Sequence, residues 1–202
     1  MEKKDFFAAH DPKIVPVLQH AVIGIAGAGG LGSNLAVTLT RAGIGKLVIA
    51  DYDKIEPSNL NRQQFFHFQI GSSKVQALAE NLAKISPFTI IETHEVRLNQ
   101  NNIPQIFRSA DILVEAFDQA EMKKMLIETW LQNFPQKPII AASGLAGYGR
   151  NELLQTRKID NLYICGDEVS EIEKGFSPMA PRVAIVANMQ ANLVLEIILK
   201  GV

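Results

Sequence analysis

Cysteine is nearly absent from this chain of 202 residues, in which Cys165 is the only one. An internal disulfide is therefore impossible, and a structural zinc site built from several cysteines is excluded. The chain also lacks an excess of charge, because 20 Lys and Arg residues stand against 21 Asp and Glu residues. Long-range attraction to nucleic acid or to an anionic membrane is not expected. We expect a cytoplasmic protein whose thiol stays reduced.

Targeting and membrane segments are also not expected. Residues 1–10 carry Lys3, Lys4 and Asp5 but no apolar run of the kind found in a signal peptide. The longest apolar stretch, residues 183–199, is interrupted by four polar residues: Asn188, Gln190, Asn192 and Glu196. A membrane span needs about 20 mostly apolar residues. We therefore predict a buried or interface helix here, and no membrane partner.

The composition indicates one globular α/β domain over residues 1–202, since 47% of the residues are apolar and 20% are charged. Short apolar runs predict strands at 21–26, 46–50, 88–93, 111–114 and 138–142. Amphipathic segments between them predict helices at 11–18, 31–42, 72–85, 103–107 and 120–133. This alternation predicts a Rossmann-like, mainly parallel sheet with helices on both faces. Beyond residue 143 we predict two more strands, 152–156 and 161–165, and a long last helix, 181–200.

A glycine-rich turn joins the first predicted strand to the helix that follows. It has the pattern GxGxxG and consists of Gly27, Ala28, Gly29, Gly30, Leu31 and Gly32. Glycine lets the backbone approach a phosphate closely, and a helix start offers free N–H groups to an anion. Asp51 ends the next strand, where a carboxylate can hold a ribose hydroxyl. The unit predicts a nucleotide site without naming the nucleotide; the alternative is a turn needed only for packing.

The loop after Asp51 indicates which nucleotide binds. It extends to about residue 70, which is longer than most α/β connections. Its polar residues include Asp53, Asn59, Arg62 and Gln63, and Lys74 lies on the next predicted helix. A guanidinium and an ammonium together suit the charges of a triphosphate, and they can stabilise charge that develops during attack on the α-phosphate. Either cation alone would be a surface charge, but the pair favours ATP.

These segments resemble the ThiF/MoeB/HesA family, relatives of the ubiquitin-activating enzymes. The resemblance rests on residues 27–33, on residues 51–63 with their string SNLNRQ, and on Lys74. It continues through residues 115–118, 141–144 and 180–196, and is closest to short single-domain ThiF-type proteins of bacteria. It implies ATP-dependent adenylylation of a C-terminal glycine carboxylate, with release of pyrophosphate. The implied partner is a small ubiquitin-like sulfur carrier with a Gly-Gly tail, as in thiamine-type sulfur transfer.

The resemblance also implies a role for each site residue. Asp51 would hold the ribose, the glycine turn and Asp53 would complete the nucleotide site, and Asp118 would bind Mg2+. Four side chains would surround the phosphates: Asn59, Arg62, Gln63 and Lys74. Of these residues, Arg62, Lys74 and Asp118 would act in catalysis. One carboxylate with phosphate oxygens and water is a usual magnesium ligand set. The alternative for Asp118 is to cap the helix that begins near Ala120.

The chain departs from the family at several positions. The two CxxC pairs that bind zinc in many members are absent, so no zinc is expected. Residues 6–10 lack the arginine that many members extend toward the partner subunit's phosphates, and His10 or Lys13 is a weak substitute. Lys123 stands where relatives often have arginine. Cys165 could link covalently to the carrier, as a cysteine does in some relatives, or could be a small buried residue.

Two further features leave alternatives open. The last helix is apolar on more than one face, which fits either a homodimer interface or burial within one subunit. The glycine-rich run 144–149 could admit a substrate tail or simply turn the chain. Rival functions are an NAD-dependent oxidoreductase, a non-catalytic nucleotide-binding partner module, and adenylylation of another carboxylate, such as a modified nucleoside or peptide terminus. The near-zero net charge argues against a large RNA substrate.

Overall fold

A computed structural model of the chain describes residues 1–171 and 176–200, and in that part it contains seven helices and seven strands. The helices are α1 (Lys3–Phe6), α2 (Val15–His20), α3 (Gly30–Ala42), α4 (Lys74–Ala83), α5 (Ile103–Ile106), α6 (Ala120–Asn133) and α7 (Ala180–Lys200). The strands are β1 (Val22–Ala26), β2 (Lys46–Asp51), β3 (Ile90–Glu95), β4 (Ile112–Glu115), β5 (Ile139–Ala142), β6 (Gln155–Ile159) and β7 (Leu162–Gly166).

The strands form one sheet in the order β3-β2-β1-β4-β5-β7-β6. Neighbouring strands are parallel, except that β6 runs antiparallel to β7. The strand order reverses at β1, which lies between β2 and β4. Open α/β sheets bind ligands at the carboxyl ends of the strands beside such a reversal. The predicted Rossmann-like fold, with its additional C-terminal strands and long last helix, is confirmed.

Alternating residues of the strands supply two apolar cores. Ile23 and Ile25 of β1 face a core that includes residues of α2, α3, α4 and α7. Ala26 belongs to the second core, on the other side of the sheet, with Phe107 and with Trp130 of α6. Successive side chains of a strand point to opposite faces, so each central strand contributes to both cores. The carboxyl ends of these strands are therefore supported by packed side chains on both faces of the sheet.

Helix α7 belongs mainly to the core of this subunit. It is long and apolar enough to cross a membrane by length and composition, but 44% of that segment is buried within the fold. A core helix passes the same test, so the feature is weak support for a membrane span. Its buried residues include Val183, Val186 and Val194, and it packs against α3. Burial within one subunit thus accounts for one face of the helix, and the homodimer remains a prediction.

Two elements begin three or more residues away from the sequence prediction, and one short helix was not predicted. Helix α2 begins at Val15 instead of residue 11, because the Asp11 side chain accepts a hydrogen bond from the Lys13 N–H (2.8 Å) and forms a local turn. Strand β6 begins three residues later than predicted, because residues 151–153 form a short 3-10 turn after Arg150 adopts a left-handed conformation. The short helix α1 was not predicted at all.

Candidate nucleotide-binding site

A cleft of about 870 Å³ lies at the carboxyl ends of the central strands. Small-molecule sites usually measure roughly 300–1,000 Å³, so the cleft can hold a nucleotide. Its lining includes all the predicted site residues except Gly32 and Asn59: Gly27, Gly29, Gly30, Leu31, Asp51, Asp53, Arg62, Gln63, Lys74 and Asp118. The wall opposite the glycine turn includes residues 143–146, which follow β5.

The glycine turn has room for backbone only. Gly27 adopts a φ of +104°, and a Cβ atom on it would lie 2.8 Å from the Ala116 carbonyl oxygen. A Cβ on Gly32 would lie 1.9 Å from the Gly27 carbonyl oxygen, so Gly32 shapes the turn from outside the cleft lining. Gly29 is the N-cap of α3 and has no side chain to accept from the first N–H groups of the helix. Those N–H groups are positioned to bind an anion.

Asp51 joins the end of β2 to this turn. Its carboxylate accepts hydrogen bonds from the Ala28 N–H at 2.6 Å and from the Asp53 N–H at 2.8 Å. The side chain also lines the cleft. Each carboxylate oxygen has a second lone pair, so these bonds leave Asp51 able to accept from a ribose.

Lys74 is the first residue of α4 and brings a largely buried cation to the cleft. Its Nζ lies 2.7 Å from the Asp53 carboxylate, and the two side chains are 8% and 47% exposed. The Lys74 N–H also donates to the Asp53 carbonyl oxygen at 3.0 Å. Because a buried ammonium needs a partner, Asp53 balances the charge of Lys74 and holds it beside the cleft.

Arg62 and Gln63 lie over the first turn of α3. A Cβ atom on Gly30 would be 3.6 Å from Arg62 Nε, and one on Gly29 would be 3.7 Å from Gln63 Nε2. Arg62 Nη1 donates to the Asn61 side chain (2.8 Å) and to a carbonyl oxygen of the same loop. The Gln63 Oε1 atom is buried and has no hydrogen-bond partner in the described part of the chain. The structure thus brings Arg62 and Gln63 to the glycine turn, and Lys74 shares the lining of the same cleft.

A chain of side-chain amides holds the loop that carries Arg62. Asn34 Nδ2 donates to the Arg62 carbonyl oxygen (2.9 Å), and Gln64 Nε2 donates to Asn34 Oδ1 (2.7 Å). Asn81 of α4 donates to the Gln64 carbonyl oxygen (3.0 Å) and to the Gln69 side chain (3.1 Å). These bonds connect the loop to both α3 and α4. Sequence reasoning missed them, because isolated amides give no signal of their partners.

Asn59 occupies a different position from the one predicted. Its side-chain oxygen accepts a hydrogen bond from the Glu56 N–H (3.0 Å), and the residue is buried outside the cleft lining. In this structure Asn59 closes the short 3-10 turn Pro57–Asn59. It thereby shapes the loop that presents Arg62, whereas a direct phosphate contact remains a prediction.

Asp118 follows β4 at the mouth of the cleft. The N-cap of α6 is Gln119, and the Asp118 side chain makes no hydrogen bond to any residue that the structure describes. The capping alternative is therefore not observed. The exposed carboxylate has lone pairs available for Mg2+. No cluster of three His, Cys, Asp or Glu side chains occurs within residues 1–171 and 176–200. Nucleotide oxygens and water would have to complete the ligand set.

A buried ion pair that was not predicted lies in the cleft wall. Glu115 is fully buried at the end of β4, and Lys123 Nζ lies 2.9 and 3.0 Å from its two carboxylate oxygens. Burial raises the pKa of the Glu115 carboxyl, while the Lys123 charge and two backbone N–H bonds oppose that shift. In sequence, Glu115 only ends an apolar run, and Lys123 lies eight residues later in the first turn of α6. Neither position signals a pair.

Cys165 has the environment of a small buried residue. Its side chain is fully buried, and its Sγ lies 3.6 Å from Thr156 Oγ1. Burial raises the pKa of the thiol, which disfavours the thiolate needed for nucleophilic attack. The preceding residue, Ile164, lines the cleft, so strand alternation turns Cys165 to the opposite face of the sheet. A covalent role is therefore not supported.

The glycine-rich run after β5 is tied to the start of α7. A Cβ on Gly144 would lie 1.9 Å from Asp167 Oδ1, and Gly144 has a φ of +74°. The buried guanidinium of Arg182 donates to the Asp167 carboxylate and to the Gly149 carbonyl oxygen. Leu145 lies between these contacts and lines the cleft. The run is thus both a fixed turn and part of the cleft wall.

The amino-terminal segment lies at the far end of α3. His10 Nε2 is 3.0 Å from the Arg41 carbonyl oxygen, and its ring contacts the rings of Phe6 and Phe7. Since α3 has 13 residues at about 1.5 Å each, this anchor lies roughly 20 Å from the glycine turn of the same chain. His10 therefore does not complete the site of its own subunit.

Solved structures with similar folds support this architecture. The tRNA N6-threonylcarbamoyladenosine dehydratase TcdA of E. coli, solved with AMP, superposes with a TM-score of 0.87 over 97% of this chain and 93% of that chain, at 18% identity. MccB of E. coli, solved with ATP, gives a TM-score of 0.72 over 93% of this chain and 59% of that chain, at 22% identity. At such identities the likeness shows the fold alone.

Curated relatives match at higher identity. The adenylyltransferase and sulfurtransferase UBA4 of Eremothecium gossypii is 33% identical over 179 residues, which are 88% of this chain and 38% of the relative. The adenylyltransferase and sulfurtransferase MOCS3 of Caenorhabditis briggsae is 30% identical over 192 residues, or 91% and 47%. This chain spans less than half the length of these relatives. The ThiF family profile matches residues 8–201, and the chain belongs to the ThiF family.

Proposed function

We propose that this chain is an ATP-dependent adenylyltransferase that activates a terminal carboxylate and releases pyrophosphate. The observation that carries the proposal is the convergence of Arg62, Gln63 and Lys74 with the open start of α3 around one cleft. The names of the relatives UBA4 and MOCS3 support the same reaction class. By contrast, NAD carries a diphosphate and no terminal phosphate, so an oxidoreductase would give Arg62 and Lys74 less charge to match.

In the proposed reaction, a carboxylate oxygen of the substrate attacks the α-phosphorus of ATP. The bond between this phosphorus and the bridging oxygen breaks, and pyrophosphate leaves with the electron pair. The substrate carboxylate is already ionised at neutral pH, so no general base is needed. Arg62, Lys74 and the start of α3 stabilise charge on the phosphate oxygens in the transition state. Asp118 would hold Mg2+, which supplies further positive charge to the phosphates.

The proposed substrate is the C-terminal glycine of a small ubiquitin-like sulfur carrier with a Gly-Gly tail, in thiamine-type sulfur transfer. Two observations support it. Relatives include ubiquitin-like modifier-activating enzyme 5 of Drosophila melanogaster, 37% identical over 126 residues, or 62% of this chain and 31% of the relative. The second is that the cleft lining includes Gly144 and Ala146, which have little side-chain bulk. A homodimer, a single domain over residues 1–202 and a cytoplasmic location complete the proposal.

ATP–pyrophosphate exchange tests this function. The chain is incubated with labelled pyrophosphate, ATP, Mg2+ and a candidate carrier that ends in Gly-Gly. The matched control is the same carrier with its terminal carboxylate converted to an amide. We expect exchange only with the free carboxylate, and ATP to bind in preference to NAD. Equal exchange with the amidated carrier, or tighter binding of NAD than of ATP, would overturn the proposal. Exchange with a modified nucleoside or a peptide, but not with the carrier, would show that the enzyme activates another carboxylate.

A further inference from the structure

The ion pair between Glu115 and Lys123 joins three elements beside the cleft. Lys123, on α6, uses its three donors on the two Glu115 carboxylate oxygens and on the Ala142 carbonyl oxygen, at 3.1 Å. The same carboxylate accepts from the N–H groups of Phe117 (2.6 Å) and Ala142 (3.3 Å). The pair therefore holds together the end of β4, the end of β5 and the first half of α6.

The groups of this pair are used within the fold. Each hydrogen of the Lys123 ammonium has an acceptor within the fold, and Glu115 is fully buried, so both groups are engaged with each other and with the backbone. A buried ion pair is not in itself a source of stability, since apolar residues of similar volume often serve as well. Its role is better sought in the geometry that it imposes on the neighbouring backbone.

The backbone that the pair fixes leads directly to Asp118. The short bond from the Phe117 N–H to Glu115 sets the turn at the end of β4, and Asp118 is the next residue. The same turn supports the glycine turn, because a Cβ on Gly27 would lie 2.8 Å from the Ala116 carbonyl oxygen. Asp118 makes no side-chain hydrogen bond within the described residues, so the backbone between this turn and the start of α6 sets its position.

We propose that Lys123 and Glu115 are positioning residues for Asp118, and that their ion pair sets the affinity of the nucleotide complex for its divalent cation. This inference rests on the proposed function. Residues that orient metal ligands commonly change metal affinity by about 10- to 100-fold when they are replaced. Replacing Lys123 should therefore lower the affinity of the nucleotide complex for the metal ion. The affinity for metal-free nucleotide, which we assign to Arg62 and Lys74, should stay unchanged.

The experiment measures Mn2+ binding by electron paramagnetic resonance, in the presence of a non-hydrolysable ATP analogue. The variants are Lys123→Met, Lys123→Arg and Glu115→Gln, and the matched control is Lys124→Met. Lys124 is the next residue of α6, and its side chain is 75% exposed. Analogue affinity without metal, the Mg2+ dependence of pyrophosphate exchange and unfolding by urea are measured for each protein. The neutral double variant Glu115→Gln/Lys123→Met covers the case in which Lys123→Met alone fails to fold.

We expect Mn2+ affinity to fall by about tenfold or more in Lys123→Met, Glu115→Gln and the double variant. Lys123→Arg should restore it, and Lys124→Met should match the wild type. Unchanged metal affinity in a folded variant would overturn the inference. So would an equal loss of affinity for the metal-free analogue, because that would indicate a merely structural role. If the wild-type chain binds no ATP analogue at all, that result contradicts the proposed function itself, and the inference that rests on it is then also wrong.

Discussion

Replacing Arg62 with alanine removes the cation that lies over the start of α3. The side chain is partly exposed, and its hydrogen bonds are to neutral acceptors, Asn61 Oδ1 and the Ser58 carbonyl oxygen. Bonds from a charged donor contribute about 1.5–3 kcal/mol each when buried, and less where water replaces them, as it can at this exposed loop. The loop keeps its amide bonds to α3 through the Arg62 carbonyl oxygen, which the substitution retains. We therefore expect little loss of folding free energy.

The expected effect on the reaction is much larger. A preorganised donor that faces developing charge contributes about 3–4 kcal/mol to transition-state stabilisation, which is a factor of roughly 100–1,000 in rate. Arg62→Ala should therefore lose most of its exchange rate while its unfolding midpoint in urea changes little. Arg62→Lys should retain part of the rate, because it keeps the charge but loses the forked geometry. The loss should appear in kcat more than in the KM for ATP.

The assay is pyrophosphate exchange at saturating ATP and carrier, with unfolding curves recorded on the same preparations. Arg108→Ala is the control, since Arg108 is an exposed arginine outside the cleft lining. Arg62→Ala at the wild-type rate would refute the reasoning. A slow Arg62→Ala variant whose stability has also collapsed would refute it as well, because the loss would then reflect unfolding.

Two further predictions concern groups away from the phosphates. Cys165→Ala should retain full exchange and form no thiol-linked product on a gel, at a cost of about 1 kcal/mol of folding free energy; lost turnover would contradict this. Asp167→Asn should destabilise the fold by about 3–5 kcal/mol at neutral pH, because it leaves the buried Arg182 unpaired. Burial alone would raise the pKa of Asp167, but hydrogen bonds from Ser170, Val169 and Arg182 lower it below 3.8 in the fold. Its stabilisation is thus present at neutral pH and lost as the pH falls below about 4, so urea unfolding of Asp167→Asn should depend less on acid than that of the wild type.

Local sequence patterns predicted most of the fold because each central element carries its own boundary signals. Gly43 ends α3 in a left-handed conformation with φ +90°, and the apolar runs that became β1 and β2 agree closely with the structure. Arg62, Lys74 and the glycine turn likewise line one cleft, because parallel strands place their carboxyl ends together. These signals lie within short segments of chain and need no knowledge of distant contacts.

The features that the sequence did not predict depend on contacts between residues far apart in the chain. Glu115 and Lys123 meet only because α6 folds back onto the sheet, and the bond from Gln64 to Asn34 spans 30 positions. The displacement of β6 has a similar cause, since its register is set by pairing with β7, in which Gln155 faces Gly166. A propensity pattern does not contain such pairings. The position of Asn59 outside the cleft lining was missed for a related reason, because an amide in a loop can bind a ligand or its own backbone.

The alternation of Ile164 and Cys165 along β7 also bears on how members of this family could diverge. One side chain faces the cleft and its neighbour faces the buried side, so a shift of one position in the pairing of β7 would exchange them. The thiol would then line the cleft in which, under the proposed function, the acyl-adenylate forms. The same shift would expose Tyr163, which is buried at present. A lineage could thus gain a covalent step through a single-residue insertion, provided that compensating changes in the core arose alongside it.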